Sequence, residues 1–201
     1  MSVAACAPTS RPSTVTQTSA RAPLTQDSAR SLIPAGFGTL RQDDISVRVQ
    51  QQGLQVRAIP LDETVIRVLS PDSYRALRDL LASQRDRIEQ DKRRFAMTTF
   101  SLWYLSFFGV EVGEARFSPM ELIISNVGRD FRPLDVIALT PGFGSQRVRQ
   151  REVQHALYIF DAQLEINQPL TLTYETAKSS EWPSVLERIE RERSLVRSRA
   201  K

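Results

Sequence analysis

Apolar and polar residues begin to alternate strictly at Ile45. Ile45, Val47 and Val49 interleave with Ser46, Arg48 and Gln50, the two-residue period of a half-buried strand. Gln51-Gln52-Gly53 is a turn signal, after which Leu54, Val56 and Ala58 resume the alternation, so the pattern predicts a hairpin. Pro60-Leu61-Asp62-Glu63 turns the chain again. Thr64 to Leu69, rich in β-branched residues, predicts the third strand of a meander.

The period then changes. Ser70-Pro71-Asp72 has the composition of a helix start, with a capping hydroxyl, proline at the first helical position and an acid facing the dipole. A helix is predicted over about 71–94, with Tyr74, Leu77, Leu81 and Ile88 on one stripe, Leu80 beside it, and Lys92, Arg93 and Arg94 at its basic end. Phe95 to Val110 is the most apolar window. It is shorter than the roughly 20 residues of a membrane span, contains Thr98, Thr99, Ser101 and Ser106, and carries aromatics on both parities. That is the mark of a central strand covered on both faces. Further strands are predicted over Glu121–Ser125, Leu134–Leu139, Gln154–Asp161 and Leu170–Glu175, the last entered through Pro169. An amphipathic helix over about 183–199 carries Val185, Leu186, Ile189 and Val196 on its stripe and docks on the sheet. Short strands separated by turn signals predict a mainly β chain: an immunoglobulin-like antiparallel β-sandwich with an inserted helix and a C-terminal helix. The domain reading is a tail over 1–31, a sandwich over 32–178 and a C-terminal helical segment over 179–201.

Composition narrows the chemistry. The chain has 201 residues, a net charge of +4, one cysteine and one histidine. Arginine carries nearly all the positive charge, since the lysines are Lys92, Lys178 and Lys201. A single cysteine excludes an internal disulfide, a zinc ribbon and CxxC redox chemistry. No Walker loop, EF-hand loop, GxGxxG or GxSxG elbow is present, and neither a cofactor nor a metal is expected. His155 shares parity with Leu157 and Ile159 on a strand and reads as a structural or edge histidine. Acidic residues fall singly or in turn pairs such as Asp43-Asp44 and Asp62-Glu63.

The N-terminal segment differs from the rest. Residues 7–31 hold Pro8, Pro12 and Pro23 among many Ser and Thr, too little apolar surface to offset the entropy of ordering. Val3-Ala4-Ala5-Cys6 resembles a bacterial lipobox, in which the cysteine is acylated after the signal peptide is cleaved. The resemblance implies lipidation of Cys6, a membrane anchor with the following residues as a stalk, and a position in the cell envelope facing the periplasm or exterior. Only five residues precede Cys6, so a lipobox requires coding sequence upstream for the charged and apolar parts of a leader. As a coil the stalk spans roughly 25–30 Å r.m.s..

One short echo stands out: Pro34-Ala35-Gly36-Phe37-Gly38 and Pro141-Gly142-Phe143-Gly144. Flanking glycines permit unusual backbone angles, and either ring can face outward as a contact or fold onto the core. The second echo runs into Arg147, Arg149 and Arg151, and aromatic with arginine is an interface-rich pairing. Phe37, Phe143, Arg147, Arg149 and Arg151 are therefore the candidate partner contacts. The leading functional expectation is a non-enzymatic, envelope-anchored binding or assembly protein whose partner is another envelope protein or a polymer. The alternative is a cytoplasmic nucleic-acid or ribonucleoprotein module resting on the arginine-rich segments, and the third reading is a hydrolase built on a carboxylate pair.

Overall fold

The hairpin forms through a two-residue turn. In a computed structural model, which describes Met1 and residues 32–200, β1 (Val47–Gln51) pairs antiparallel with β2 (Leu54–Pro60). Gln52 and Gly53 connect them with φ of 42° and 75°. Positive φ at both central positions matches the right-handed twist of the flanking strands. β2 then pairs with the ten-residue β3 (Phe100–Gly109). Cys6 and the rest of 2–31 lie outside the described residues.

Two further expectations change. The stretch predicted as a third strand contains a short helix, α1 (Glu63–Ile66). The Asp62 carboxylate accepts the Thr64 backbone N–H at 2.7 Å, and this N-cap outweighs the β preference of Val65 and Ile66. The long helix divides into α2 (Pro71–Ser83) and α3 (Arg85–Phe95), separated at Gln84. There the Gln84 N–H is shared between the Leu80 and Leu81 carbonyls, which tightens the last turn of α2.

The remaining strands are β4 (Glu114–Arg116), β5 (Leu122–Asn126), β6 (Arg129–Phe131), β7 (Asp135–Ala138), β8 (Arg147–Arg149), β9 (Val153–Asp161), β10 (Leu170–Tyr174) and β11 (Ala177–Ser179). They build a five-stranded sheet in the order β1-β2-β3-β9-β7, a four-stranded sheet β11-β10-β5-β6 and a β4-β8 ribbon. Every strand pair is antiparallel. The sandwich-like layering is thus as expected, without assignment to the immunoglobulin type.

The inner faces meet through aromatics. Trp103, Leu105 and Phe107 of β3 are fully buried. The Phe107 ring lies 4.5 Å from Phe117 and 5.9 Å from Tyr174 of β10, which bridges the two sheets. The C-terminal helix α4 (Trp182–Arg199) docks, as its stripe predicts: Val185, Ile189 and Val196 are buried. Trp182 packs 6.1 Å from Trp103 and donates its indole N–H to the Ile166 carbonyl at 2.8 Å. A buried acid completes the docking. Glu192 accepts from the backbone N–H and hydroxyl of Thr39 and pairs with Arg199 at 2.8 Å, so its charge is compensated. Residues Leu32–Lys201 form one compact unit that includes this helix.

Candidate binding face

The outer face of the five-stranded sheet divides into two halves by residue type. Cross-strand partners share a face, so the register reads as successive rungs. One rung, Ile59–Tyr104–Leu157–Ile137, is mostly apolar and lies toward the helices. The next is Arg48–Arg57–Ser106–His155, running across β1, β2, β3 and β9. The third is Gln50–Gln55–Phe108–Val153. The helices cover the first rung: Leu77 and Leu80 of α2 meet Tyr104 and His155 around a cleft of about 320 Å³. The second and third rungs open instead on a polar cleft of about 340 Å³.

His155 lines both clefts, and Tyr104 lines the one beneath the helices. Their rings stack with centroids 5.3 Å apart, and the phenol oxygen lies 2.8 Å from Nδ1. Burial pushes the imidazole below its ordinary pKa, and the Arg57 charge pushes it the same way. Burial raises the phenol, with Arg57 opposing. Both groups are therefore neutral at pH 7. The phenol and Nδ1 share one hydrogen bond, whose donor is set by the tautomer of the imidazole. The His155 backbone N–H donates to the Thr140 hydroxyl at 3.1 Å, and that hydroxyl donates to the Gln154 side-chain carbonyl at 2.6 Å. His155 is thus held structurally, as read from the sequence, while its ring also borders open space.

Arg48 and Arg57 stand directly opposite one another. Like charges in that relation destabilise a strand pair. Asp43, on the short 3₁₀ turn Gln42–Ile45, compensates by accepting a hydrogen bond from Arg57 and lying 3.4 Å from Arg48. Partial burial pushes the Asp43 carboxyl up, but the Arg57 hydrogen bond and the charges of both arginines outweigh this and hold it below the usual range. The pairing leaves one positive charge in excess in a cleft otherwise lined by hydrogen-bond donors and by Phe108 and Val153.

The contacts proposed from sequence do not come together in this way. Phe143 is corrected: its ring is only 5% exposed and packs 5.2 Å from Phe117 and 5.9 Å from Phe107. A 3₁₀ turn over Pro141–Ser145 rolls it inward. Phe37 is 47% exposed, and its carbonyl accepts from Arg199 of α4 at 3.1 Å. The two glycine echoes differ physically. A Cβ on Gly38 would lie 2.0 Å from the Val68 carbonyl oxygen, whereas one on Gly144 would meet nothing within 4 Å. Arg147, Arg149 and Arg151 are exposed, with Arg147 paired to Glu114 at 3.0 Å.

Two acids do converge elsewhere. Asp91 of α3, only 1% exposed, lies near Asp135 of β7, and Arg87 reaches both at 3.4 and 3.1 Å. Arg94 also contacts Asp135 at 3.3 Å. Neither acid lines either cleft; the cluster fastens α3 to the sheet edge. Among the described residues no group of three or more His, Cys, Asp or Glu is placed to hold a metal ion, and no helix is long and apolar enough to cross a membrane. No family model, curated protein or solved structure matches the chain.

The polar rung was partly readable. Alternation already places Arg48 on the face opposite Val47 and Val49. The turn at Gln52-Gly53 has two residues and pairs Arg48 with Arg57, whereas the three-residue turn signal Gln51-Gln52-Gly53 implies a register shifted by one. Nothing local links Ser106 to His155, which lie on strands joined by a long connection.

Proposed function

We propose that this chain is a non-enzymatic binding protein, held at the bacterial cell envelope by a lipidated Cys6, that meets its partner through the uncovered half of the five-stranded sheet. One observation carries the reading. Arg48, Arg57, Ser106 and His155 are aligned across four strands on a face that the α2–α3 pair leaves open. Asp43 offsets only part of the repulsion between the opposed arginines, and a partner supplying negative charge offsets the rest. The Val3-Ala4-Ala5-Cys6 segment supports the anchor. Acylation at a cysteine gives about 0.8 kcal/mol per buried methylene, and two or more chains hold a protein stably at a bilayer.

Two experiments test the halves of this reading separately. Mass spectrometry of the native protein reads the anchor: an acylated N-terminal Cys6 is expected, and an unmodified cysteine preceded by Met1 refutes it. A photo-crosslinking residue placed at Gln55, beside the rung, is compared in cells with one at Arg149. Adducts concentrated at Gln55 are expected. Adducts confined to Arg149 would move the interface to the arginine-rich loop and refute the face assigned here.

A further inference from the structure

We infer that the polar cleft is a site for a small organic carboxylate, whose head sits in the Arg48–Arg57 fork and whose apolar body lies over Phe108 and Val153. The inference rests on the binding face proposed above and names the chemistry of what it takes. The fork already holds a carboxylate, that of Asp43, which contacts both guanidinium groups. Its side chain is 57% exposed, so it lies at the mouth of the cleft, where an incoming carboxylate competes for the same donors. Arginine pairs favourably with carboxylates in a fork geometry.

The neighbouring rungs explain why the ligand has two parts. Beside the arginines stand the Ser106 hydroxyl and the His155 imidazole, and one rung further stand Phe108 and Val153. A polar head and an apolar body therefore meet matching surfaces about 7 Å apart, the spacing of two residues along a strand. The cleft volume of about 340 Å³ is within the range of small-molecule sites. That suits a single aryl or alkyl acid. The excess of one positive charge suits a monoanion. In this arrangement Asp43 is an internal competitor: it offsets the repulsion between the opposed arginines when the cleft is empty and yields them on binding.

The test is a titration of the full-length protein followed by NMR, using 3-phenylpropionate, its neutral amide and a hexaglutamate peptide. 3-Phenylpropionate is expected to shift the signals of Arg48, Arg57, Phe108 and His155, with the amide at least tenfold weaker. Asp43→Asn should tighten binding several-fold by removing the competitor, and Arg57→Gln should weaken it at least tenfold. Arg48, whose side chain is 45% exposed, provides a second variant, Arg48→Gln, for use if Arg57→Gln melts early. Equal affinity for acid and amide, or unchanged or weaker binding to Asp43→Asn, overturns the inference. Tighter binding of hexaglutamate at the same residues also overturns it, in favour of an acidic chain as ligand. Failure here leaves the crosslinking result at Gln55 free to stand, so the ligand class and the binding face are tested apart.

Discussion

Replacing Phe143 with alanine distinguishes a core ring from a contact ring. The side chain is 5% exposed and packs on Phe107 and Phe117. An aromatic side chain buries roughly 150–250 Å², which at about 25 cal/mol per Å² amounts to about 4–6 kcal/mol. Compactness of the unfolded chain lowers this by about 10–40%, and alanine keeps its own Cβ. The expected loss is about 3 kcal/mol, at the lower end of the range for Phe→Ala in cores. With a urea slope near 2 kcal/mol/M, the midpoint should fall by about 1.5 M. Phe37→Ala, at a ring 47% exposed, should cost less than about 1 kcal/mol. A fall of under about 0.5 M for Phe143→Ala, at unchanged slope, would refute the inward placement of the ring and restore it as a surface contact.

Other variants read other parts of the account. Gly38→Ala forces a Cβ against the Val68 backbone and should cost about 2 kcal/mol or more, whereas Gly144→Ala should be neutral; equal melting temperatures for the two would contradict the close approach. The His155 imidazole is pushed below its ordinary pKa by burial, so the unfolded chain takes up a proton first. Stability should therefore decline as pH falls below about 6.5, and His155→Gln should flatten that part of the melting profile. Asp91 is shifted the other way, raised by burial and by Asp135 despite Arg87. The folded state holds its proton longer, and stability falls as pH rises from the unfolded value of about 3.9 toward the raised folded one. Asp91→Asn should remove that slope and leave stability at pH 7 equal or higher; a marked loss at pH 7 would show that the charge itself is needed.

The contrast between what the sequence discloses and what it hides is physical. The strands with clean alternation were legible, as was the central strand, because Phe100 to Gly109 carries apolar residues on both faces, although only the inner one is fully covered and Ser106 and Phe108 border the open cleft. The C-terminal helix was legible from its stripe, though not the buried Glu192 within it, whose partner Thr39 is distant along the chain. The short helix at Glu63 was masked by β-branched residues that a single capping carboxylate overrides. β4, β6, β8 and β11 are three residues each, too short to show a period. Phe143 and Arg147–Arg151 are adjacent in sequence, which is the only kind of neighbourhood a local pattern displays. The rung of the proposed binding face is adjacent only across strands.

The opposed arginines offer the most direct measure of whether that face is covered in the cell. Arginine-specific labelling of intact cells, compared with the purified protein, reports the accessibility of Arg48 and Arg57 against exposed Arg149 as an internal standard. Arg48 and Arg57 should be protected in cells and regain reactivity on purification, while Arg149 reacts equally in both. Equal labelling of all three in cells and in the purified protein would contradict it.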